Sequence, residues 1–224
     1  MRGLNQREGP FVPCPHPAVT GRERELRHLT DNLRRVIHLV NTRVFDEDQT
    51  KAAVDGLSPV LARLEALVPD PPPARLALDQ PVSEPHAGSP YDVVHGLYNP
   101  VAPPITIRYE PPEVVGEVEF NAGYEGPPGR VHGAVLIGSF DMVFSSANAL
   151  AGVTGPTASL KVEYVGATRT DQPAEFRARQ RSVEGRRIHV DGELRQHGEV
   201  TCRATGLFIQ VDRGDLTRLG AGDG

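Results

Sequence analysis

The sequence contains no tryptophan, only two cysteines and only two lysines among its 224 residues. Cys14 and Cys202 stand at opposite ends of the chain, which excludes the disulfide framework of a small secreted domain. No apolar run approaches the ~20 residues that a membrane span needs, and no apolar signal-peptide core follows Met1. We therefore expect a cytoplasmic protein without a membrane span.

The chain also has no surplus of positive charge, since its net charge is −5. Backbone recognition of nucleic acids needs clustered positive charge, so we expect no nucleic-acid partner. The basic residues are 22 arginines and two lysines, which together with abundant Gly, Ala, Val and Pro is typical of a GC-rich bacterial genome. Cys14 and His16 are two possible metal ligands with no second pair nearby, so we expect no metal site.

Residues 1–68 are predicted to form a helical extension. Thr20 and Glu23 match a capping box that opens a helix, and apolar residues then follow helical spacing. A second helical stretch follows, and Ser58-Pro59 inside it suits a helix start, which is compatible with two short helices. The resulting hairpin either covers apolar surface of the main domain or forms a separate module that binds a partner.

Residues 69–104 are predicted to be an extended connector, because ten of them are prolines. Proline removes backbone donors, and this density forbids regular elements. Apolar and aromatic residues in its second half are nevertheless candidates to pin it to a surface: Tyr91, Val93, Val94, Leu97 and Tyr98.

Residues 105–212 form the main predicted domain, and 213–224 a flexible tail. Alternating patterns predict strands, and an almost uncharged apolar stretch at 131–150 is long enough for a helix. The strands are expected at 105–110, 114–120, 157–165, 174–183, 186–194 and 199–211. This order favours an α+β fold in which an antiparallel sheet wraps around one long central helix.

Asp141 is the only ionisable side chain of that helix after His132. A carboxylate among apolar neighbours is costly unless it is paired or used, so Asp141 either lies on an exposed stripe or takes part in chemistry. The loop before the helix contains Gly126, Gly129 and Gly133, which allow the backbone to approach a ligand. Free amides at a helix N-terminus can hold a developing oxyanion.

The stretch YEGPPGRVHGAVLIGSFD resembles the signature of PaaI-like thioesterases, including the THEM type, in the 4-hydroxybenzoyl-CoA thioesterase superfamily. The motif of that family is His-Gly-Gly with an acid nine positions after the histidine. Here these positions are His132, Gly133, Ala134 and Asp141, so alanine replaces the second glycine. The resemblance continues through TASLKVEY, SVEGRRIHVDGEL and ATGLFIQVD.

The resemblance implies a hotdog fold and hydrolysis of an acyl-CoA thioester, with CoA as part of the substrate and no separate cofactor. By similarity, the Gly133 amide would hold the thioester carbonyl, and Asp141 would be the general base or the nucleophile. Thr157 would help to place the attacking water, and His132 would shape the loop.

Arg186 and Arg187 match positions that contact the CoA nucleotide in THEM-type relatives. A second group of arginines alternates along the preceding predicted strand and therefore shares one face of it: Arg177, Arg179 and Arg181. These three either bind phosphate, which the planar guanidinium suits, or form a solvated outer face.

Gly133 and Asp141 are eight residues apart, which is ~12 Å along a helix. Both must act within roughly 3 Å on one thioester, and an Asp side chain does not bridge that gap. The site should therefore combine two protomers, in a homodimer or a dimer of dimers. Two other functions remain open: a non-catalytic acyl-CoA-binding or scaffold protein, and a hotdog enoyl-CoA hydratase, which needs a His near the acid.

Overall fold

Two helices precede the sheet in this computed structural model, which describes residues 19–67, 90–94 and 96–211. The first helix, α1, spans Glu23–Thr42, and the second, α2, spans Glu47–Glu65. The predicted capping box at Thr20 is wrong, since the N-cap residue is Arg22 and its side chain makes no capping hydrogen bond. A capping box does open α2, where Asp46 and Gln49 bond each other's backbone amides. That helix continues through Pro59 as one element.

Six strands form one antiparallel sheet, as the alternating patterns predict. They are β1 (Thr106–Glu110), β2 (Glu113–Glu119), β3 (Thr157–Tyr164), β4 (Pro173–Glu184), β5 (Arg187–Gln196) and β6 (Glu199–Ile209). Their order in the sheet is β1-β2-β4-β5-β6-β3. Because β3 is the last strand in this order, one of its edges pairs with β6 and the other has no strand beside it within the described chain.

The central helix, α3, spans Gly133–Ala151 and begins at the predicted His-Gly step. It packs against one face of the sheet and forms the core with the inward residues of the strands. The ring of Phe144 reaches the sheet where β5 and β6 carry Gly192 and Gly206, since a Cβ at either glycine would meet that ring at 2.8 Å. The predicted hotdog architecture is therefore confirmed. By its length and apolar composition alone, α3 could cross a membrane, but half of it is buried inside the described fold.

The second half of the connector is ordered and holds α1 against the domain. Thr30 of α1 donates a hydrogen bond to the Tyr98 carbonyl, and Arg34 donates to the Asn99 carbonyl. The connector in turn accepts a hydrogen bond from Tyr124 at its Ala102 carbonyl, at 2.8 Å. Four of the five predicted anchor residues are at least partly buried here, and Val93 is the exposed exception.

The helical hairpin covers the domain only through α1. Ile37 of α1 lies beside Gly123, in the short 3-10 helix Ala122–Tyr124 that leads into the glycine-rich loop. In contrast, α2 has no buried residue and no extensive contact with another element within the described chain. Coverage of apolar surface of the domain, the first of the two expectations for the hairpin, therefore applies to α1 only.

Candidate active site

Asp141 and Thr157 meet at the border of α3 and β3. Asp141 lies on the side of α3 that faces away from the sheet, where it is partly exposed. The hydroxyl of Thr157, the first residue of β3, donates a 2.6 Å hydrogen bond to Asp141 Oδ1. No described residue bonds Oδ2, so this oxygen is available as an acceptor. The carboxylate is therefore oriented by a strand residue and open on one side.

The other end of the candidate site is the N-terminus of α3. His132 is the N-cap residue, and its Nδ1 accepts a 3.0 Å hydrogen bond from the Ala134 amide. This bond caps the first turn of the helix with a side-chain acceptor. The Gly133 amide donates to no described residue. It is thus a free donor at the positive end of a helix dipole, as an oxyanion site requires.

Two glycines of the loop make room for side chains of the protein itself. A Cβ at Gly126 would lie 3.0 Å from His132, and a Cβ at Gly133 would lie 2.9 Å from the Tyr164 hydroxyl. That hydroxyl donates a 3.0 Å hydrogen bond to the Gly133 carbonyl. Burial raises the pKa of the Tyr164 phenol, so it remains a donor at neutral pH. These glycines therefore make room for side chains of the protein itself. Their expected role in letting the backbone approach a ligand stays a prediction.

The loop before α3 is also held from the opposite side. The Val131 amide bonds the Thr168 carbonyl at 2.9 Å, and the next residue, Arg169, is clamped by the buried side chain of Gln196. The Gln196 amide group accepts from the Arg169 amide at 2.8 Å and donates to the Arg169 carbonyl at 3.1 Å. Nothing in the local sequence pattern signals this clamp, because Gln196 is the last residue of β5 and Arg169 lies in the loop between β3 and β4.

Comparisons with known proteins identify the family of the chain. Residues 128–203 match the family model of the thioesterase superfamily. A crystal structure described as a thioesterase superfamily protein shares 30% sequence identity with the chain, covers 82% of it and 94% of its own length, and superposes with a TM-score of 0.71. The chain belongs to the thioesterase superfamily.

The chain is also similar to more distant solved structures. A putative thioesterase of Ralstonia eutropha, described as phenylacetic acid degradation-related, is 21% identical over 47% of this chain and 83% of its own, with a TM-score of 0.42. Zebrafish thioesterase superfamily member 2 is 15% identical over 51% and 83%, with a TM-score of 0.46. No curated protein sequence matches this superfamily member.

Arg186 lies in the turn between β4 and β5, and Arg187 is the first residue of β5. The guanidinium of Arg186 donates through Nε to the Gln210 carbonyl at 3.0 Å. Arg187 pairs with Ile209 and Thr157 with Phe208, so the turn lies at the same end of the sheet as Asp141. Two strand spacings separate Arg187 from Thr157, which is ~10 Å. Both arginines are exposed near the carboxylate end of the site.

The arginines of β4 face away from α3 and are paired with carboxylates. Arg177 Nε lies 2.7 Å from Glu175, and Arg179 and Arg181 both lie within 4 Å of Asp191. The geometry favours a solvated outer face over a phosphate site, because acidic partners already neutralise the charge of these arginines.

The cysteines offer this superfamily member no alternative nucleophile among the described residues. Cys202 is fully buried in the core, and burial raises the pKa of its thiol. A protonated, enclosed thiol is unreactive. Cys14 and His16 lie outside the described residues. Within the described ranges, no cluster of His, Cys, Asp and Glu side chains has the arrangement of a metal site.

Proposed function

We propose that the protein hydrolyses acyl-CoA thioesters to the free acid and CoA. The observation that carries the proposal is the 2.6 Å bond between Thr157 and Asp141, which orients one carboxylate on an open helix face. The same helix supplies an amide without a described partner at Gly133. A base and an oxyanion donor are the two groups that acyl transfer to water requires.

The proposed reaction needs only these groups and one water. Oδ2 of Asp141 accepts a proton from the water while the water oxygen attacks the thioester carbon. The Gly133 amide stabilises the negative charge that develops on the carbonyl oxygen. The C–S bond then breaks, the thiolate of CoA takes the proton from Asp141, and the carboxylate is regenerated. Thr157 holds Oδ1 throughout and can accept a hydrogen bond from the same water.

A nucleophilic role for Asp141 uses the same geometry. Oδ2 would attack the thioester carbon, expel the CoA thiolate and form a mixed anhydride, which water then hydrolyses. The two routes differ in the origin of one product oxygen when water attacks the anhydride at the carboxyl carbon of Asp141. A single turnover in ¹⁸O-labelled water then leaves the label in Asp141 and an unlabelled enzyme oxygen in the acid, whereas a general base puts the label only in the acid. Attack of water at the acyl carbon also labels only the acid, so label in Asp141 after one turnover identifies a nucleophile.

The geometry of β3 supports a site made by two protomers. Thr157 marks one end of β3, beside Asp141, and Tyr164 marks the other end, where its hydroxyl bonds Gly133. If the open edges of two β3 strands pair antiparallel about a two-fold axis, Thr157 of one chain comes to lie near the partner's Tyr164. This pairing would bring the partner's Gly133 to Asp141, and it would create two equivalent sites.

Exposure along β3 agrees with such pairing. Six of its eight residues are exposed, although the strand is long and unbulged over most of its length. An open edge of this kind is a template for pairing with another chain. The outward side of α3 beside it carries small side chains at Ala134 and Ser145, which allows a partner to approach closely.

The alternatives receive less support from the site. A hydratase needs a histidine beside the acid, but within one chain His132 stands nine residues from Asp141. In the two-protomer site the partner's His132 would come closer, with its Nδ1 already engaged by the amide of its own Ala134. A scaffold or simple acyl-CoA-binding protein has no need for a carboxylate that a hydroxyl orients toward open space.

The test is a panel of acyl-CoAs assayed with a thiol reagent for released CoA, using the wild type and Asp141→Asn. We expect turnover by the wild type and a loss in kcat of about 10²-fold or more in the variant, the worth of a positioned base. Binding of acyl-CoA without turnover by the wild type would favour the non-catalytic function. Unchanged kcat in a folded Asp141→Asn protein would contradict the assignment of Asp141.

A further inference from the structure

The N-terminal helices carry apolar stripes that the described part of the chain leaves exposed. On α1 the stripe lies beside the docked face and consists of Leu29, Leu33, Val36, Leu39 and Val40. On α2 it consists of Val54, Leu57, Val60, Leu61 and Leu64. Steps of three and four residues recur along both stripes, and this is the spacing by which one helix packs against another.

These stripes have the area of a protein interface. Every one of the ten side chains is exposed by more than a third, with Val40 at 60% and Leu61 at 54%. At very roughly 80 Å² each, they offer about 800 Å², which is the area that one partner contributes to a stable interface. Each stripe by itself offers about 400 Å², and an exposed apolar patch of that size on a single chain is often an interaction site.

The connection between the helices keeps the two stripes apart. Arg43 at the end of α1 and Asp46 before α2 are both in extended conformation. In the loop that they bound, Val44 is fully exposed. As a result α2 projects away from α1, and neither helix covers the stripe of the other.

We propose that the occupant is a second copy of this chain, with α2 of one protomer packed on α1 of the other. A two-fold axis then forms the α1–α2 contact twice, and both stripes of both chains are covered. Exchange of an identical element is a low-cost route to a closed dimer. The inference does not depend on hydrolysis, since it concerns only the helices.

Charge favours this pairing over contact between like helices. α1 has four arginines against three carboxylates, whereas α2 has four carboxylates against Lys51 and Arg63. The two helices therefore attract each other, and two α2 helices repel. The acidic surplus of α2 also disfavours a membrane surface, because helices that lie on anionic lipid carry a basic polar face.

The position of α1 connects this contact to the candidate site. Ile37 of α1 lies beside Gly123, directly before the loop that leads to Gly133. An α2 helix seated on the stripe of α1 would therefore stand next to the oxyanion end of the site. In the proposed two-protomer site, a second copy also supplies Asp141 at that end.

The test is cysteine cross-linking between two differently tagged full-length proteins, both carrying Cys14→Ser. One protein has Leu33→Cys on the α1 stripe, and the other has Leu61→Cys on the α2 stripe. Cys202 is buried and does not interfere. After mixing under conditions of subunit exchange and mild oxidation, we expect a disulfide between the two tagged chains, formed about tenfold or more faster than in the control pair because association raises the effective concentration.

The control pair is Arg35→Cys with Asp55→Cys, which lie on the polar sides of the same helices. A second variant pair tests the stripe itself. Leu57→Glu in the Leu61→Cys protein should abolish the cross-link, whereas Ala62→Glu on the opposite side of α2 should leave it intact. All these positions are exposed in the single chain, so the fold does not depend on them.

The outcomes separate the possibilities. A mixed disulfide above the control supports the proposal. Its absence overturns it, as does preferential joining of two Leu61→Cys chains or an intrachain disulfide in a dilute Leu33→Cys/Leu61→Cys double variant. Loss of the cross-link when neutral lipid vesicles are added, with α2 bound to them, would assign the stripe to a lipid surface instead. Acyl-CoA hydrolysis is measured in parallel and can fail independently.

Discussion

Thr157 donates a 2.6 Å hydrogen bond to Asp141 across a separation of sixteen residues in the chain. The bond joins the first residue of β3 to the middle of α3, so it depends on the docking of the helix on the sheet. It also leaves Oδ2 of the carboxylate for a water or a thioester.

Two replacements of Thr157 should distinguish the effect of its hydrogen bond to Asp141 from the effect of its side-chain volume. In Thr157→Val we expect kcat to fall roughly 10- to 100-fold, because a hydrogen bond to a charged group contributes ~1.5–3 kcal/mol. Thr157→Ser retains the hydroxyl and should keep most of the activity. The measurement is steady-state kinetics on the best acyl-CoA of the panel. Unchanged activity in Thr157→Val would mean that the bond does not matter, and a larger loss in Thr157→Ser than in Thr157→Val would assign the effect to the methyl group.

The two-protomer site predicts complementation. An Asp141→Ala protein and a Gly133→Pro protein should each be inactive, and their heterodimer should regain activity. In that species one site combines Gly133 of the first chain with Asp141 of the second. The assay needs separate tags, so that the purified heterodimer is compared with both parents.

Gly133→Ala is the matched control for the proline variant. Both changes add a Cβ close to the Tyr164 hydroxyl, but alanine keeps the backbone N–H. We therefore expect Gly133→Ala to be clearly more active than Gly133→Pro. If a verified heterodimer of folded chains stays as inactive as its parents, the two groups do not act in one shared site.

Much of the fold was predictable because its signals are local. Alternation placed all six strands within a few residues of their observed bounds, and an uncharged run with one acid placed α3. The wrong prediction of a capping box at Thr20 shows the limit of such patterns, since the helix begins after Arg22 and the side chain of Arg22 makes no capping hydrogen bond. Pro59 was also misleading, because α2 continues through it.

The candidate site was predictable only through the family motif. The motif named Asp141, Gly133 and Thr157, but no pattern along the chain shows that β3 places Tyr164 over Gly133. The local sequence also gives no sign of the hydrogen bonds between Gln196 and Arg169, because sheet register and loop packing together create them. Contacts between distant segments are fixed by the whole fold, so local sequence does not contain them.

Stability at high pH should depend on Tyr124. Its hydroxyl bonds the Ala102 carbonyl, and burial raises its pKa above the ordinary value, while the charge and hydrogen bond of Arg34 lower it in part. A raised pKa means that the folded state holds this proton more tightly than the unfolded state. Its contribution is therefore complete below pH ~10 and is lost as pH rises through the folded pKa.

Urea unfolding at pH 8 and pH 10.5 checks this contribution. Tyr124→Phe should lower the free energy of unfolding by ~1 kcal/mol at pH 8, where one hydrogen bond is lost. The wild type should lose more stability than the variant between the two pH values. The difference between the two proteins isolates Tyr124, because Tyr164 and Cys202, whose pKa values are also raised, are present in both. Parallel pH dependence would show that Tyr124 does not titrate in this range.

The last prediction concerns recognition of CoA by Arg187. This exposed arginine stands at the end of the sheet that holds Asp141, and it has no carboxylate partner among the described residues. If it binds a phosphate of CoA, Arg187→Ala should raise KM with little change in kcat, because the phosphate does not react. Added salt should narrow the difference from wild type, since exposed charge pairs are screened over ~10 Å at 0.1 M.

Two comparisons decide between recognition and structure. A short acyl-pantetheine, which lacks the nucleotide, should be hydrolysed equally well by the wild type and Arg187→Ala. Arg179→Ala is the matched control, because this arginine of β4 already pairs with Asp191 and should leave KM unchanged. Arg186 is a poorer probe, since its Nε also holds the Gln210 carbonyl and its removal disturbs the turn. Equal losses on both substrates would make Arg187 a structural residue, and no loss on either would leave it a solvated end of β5.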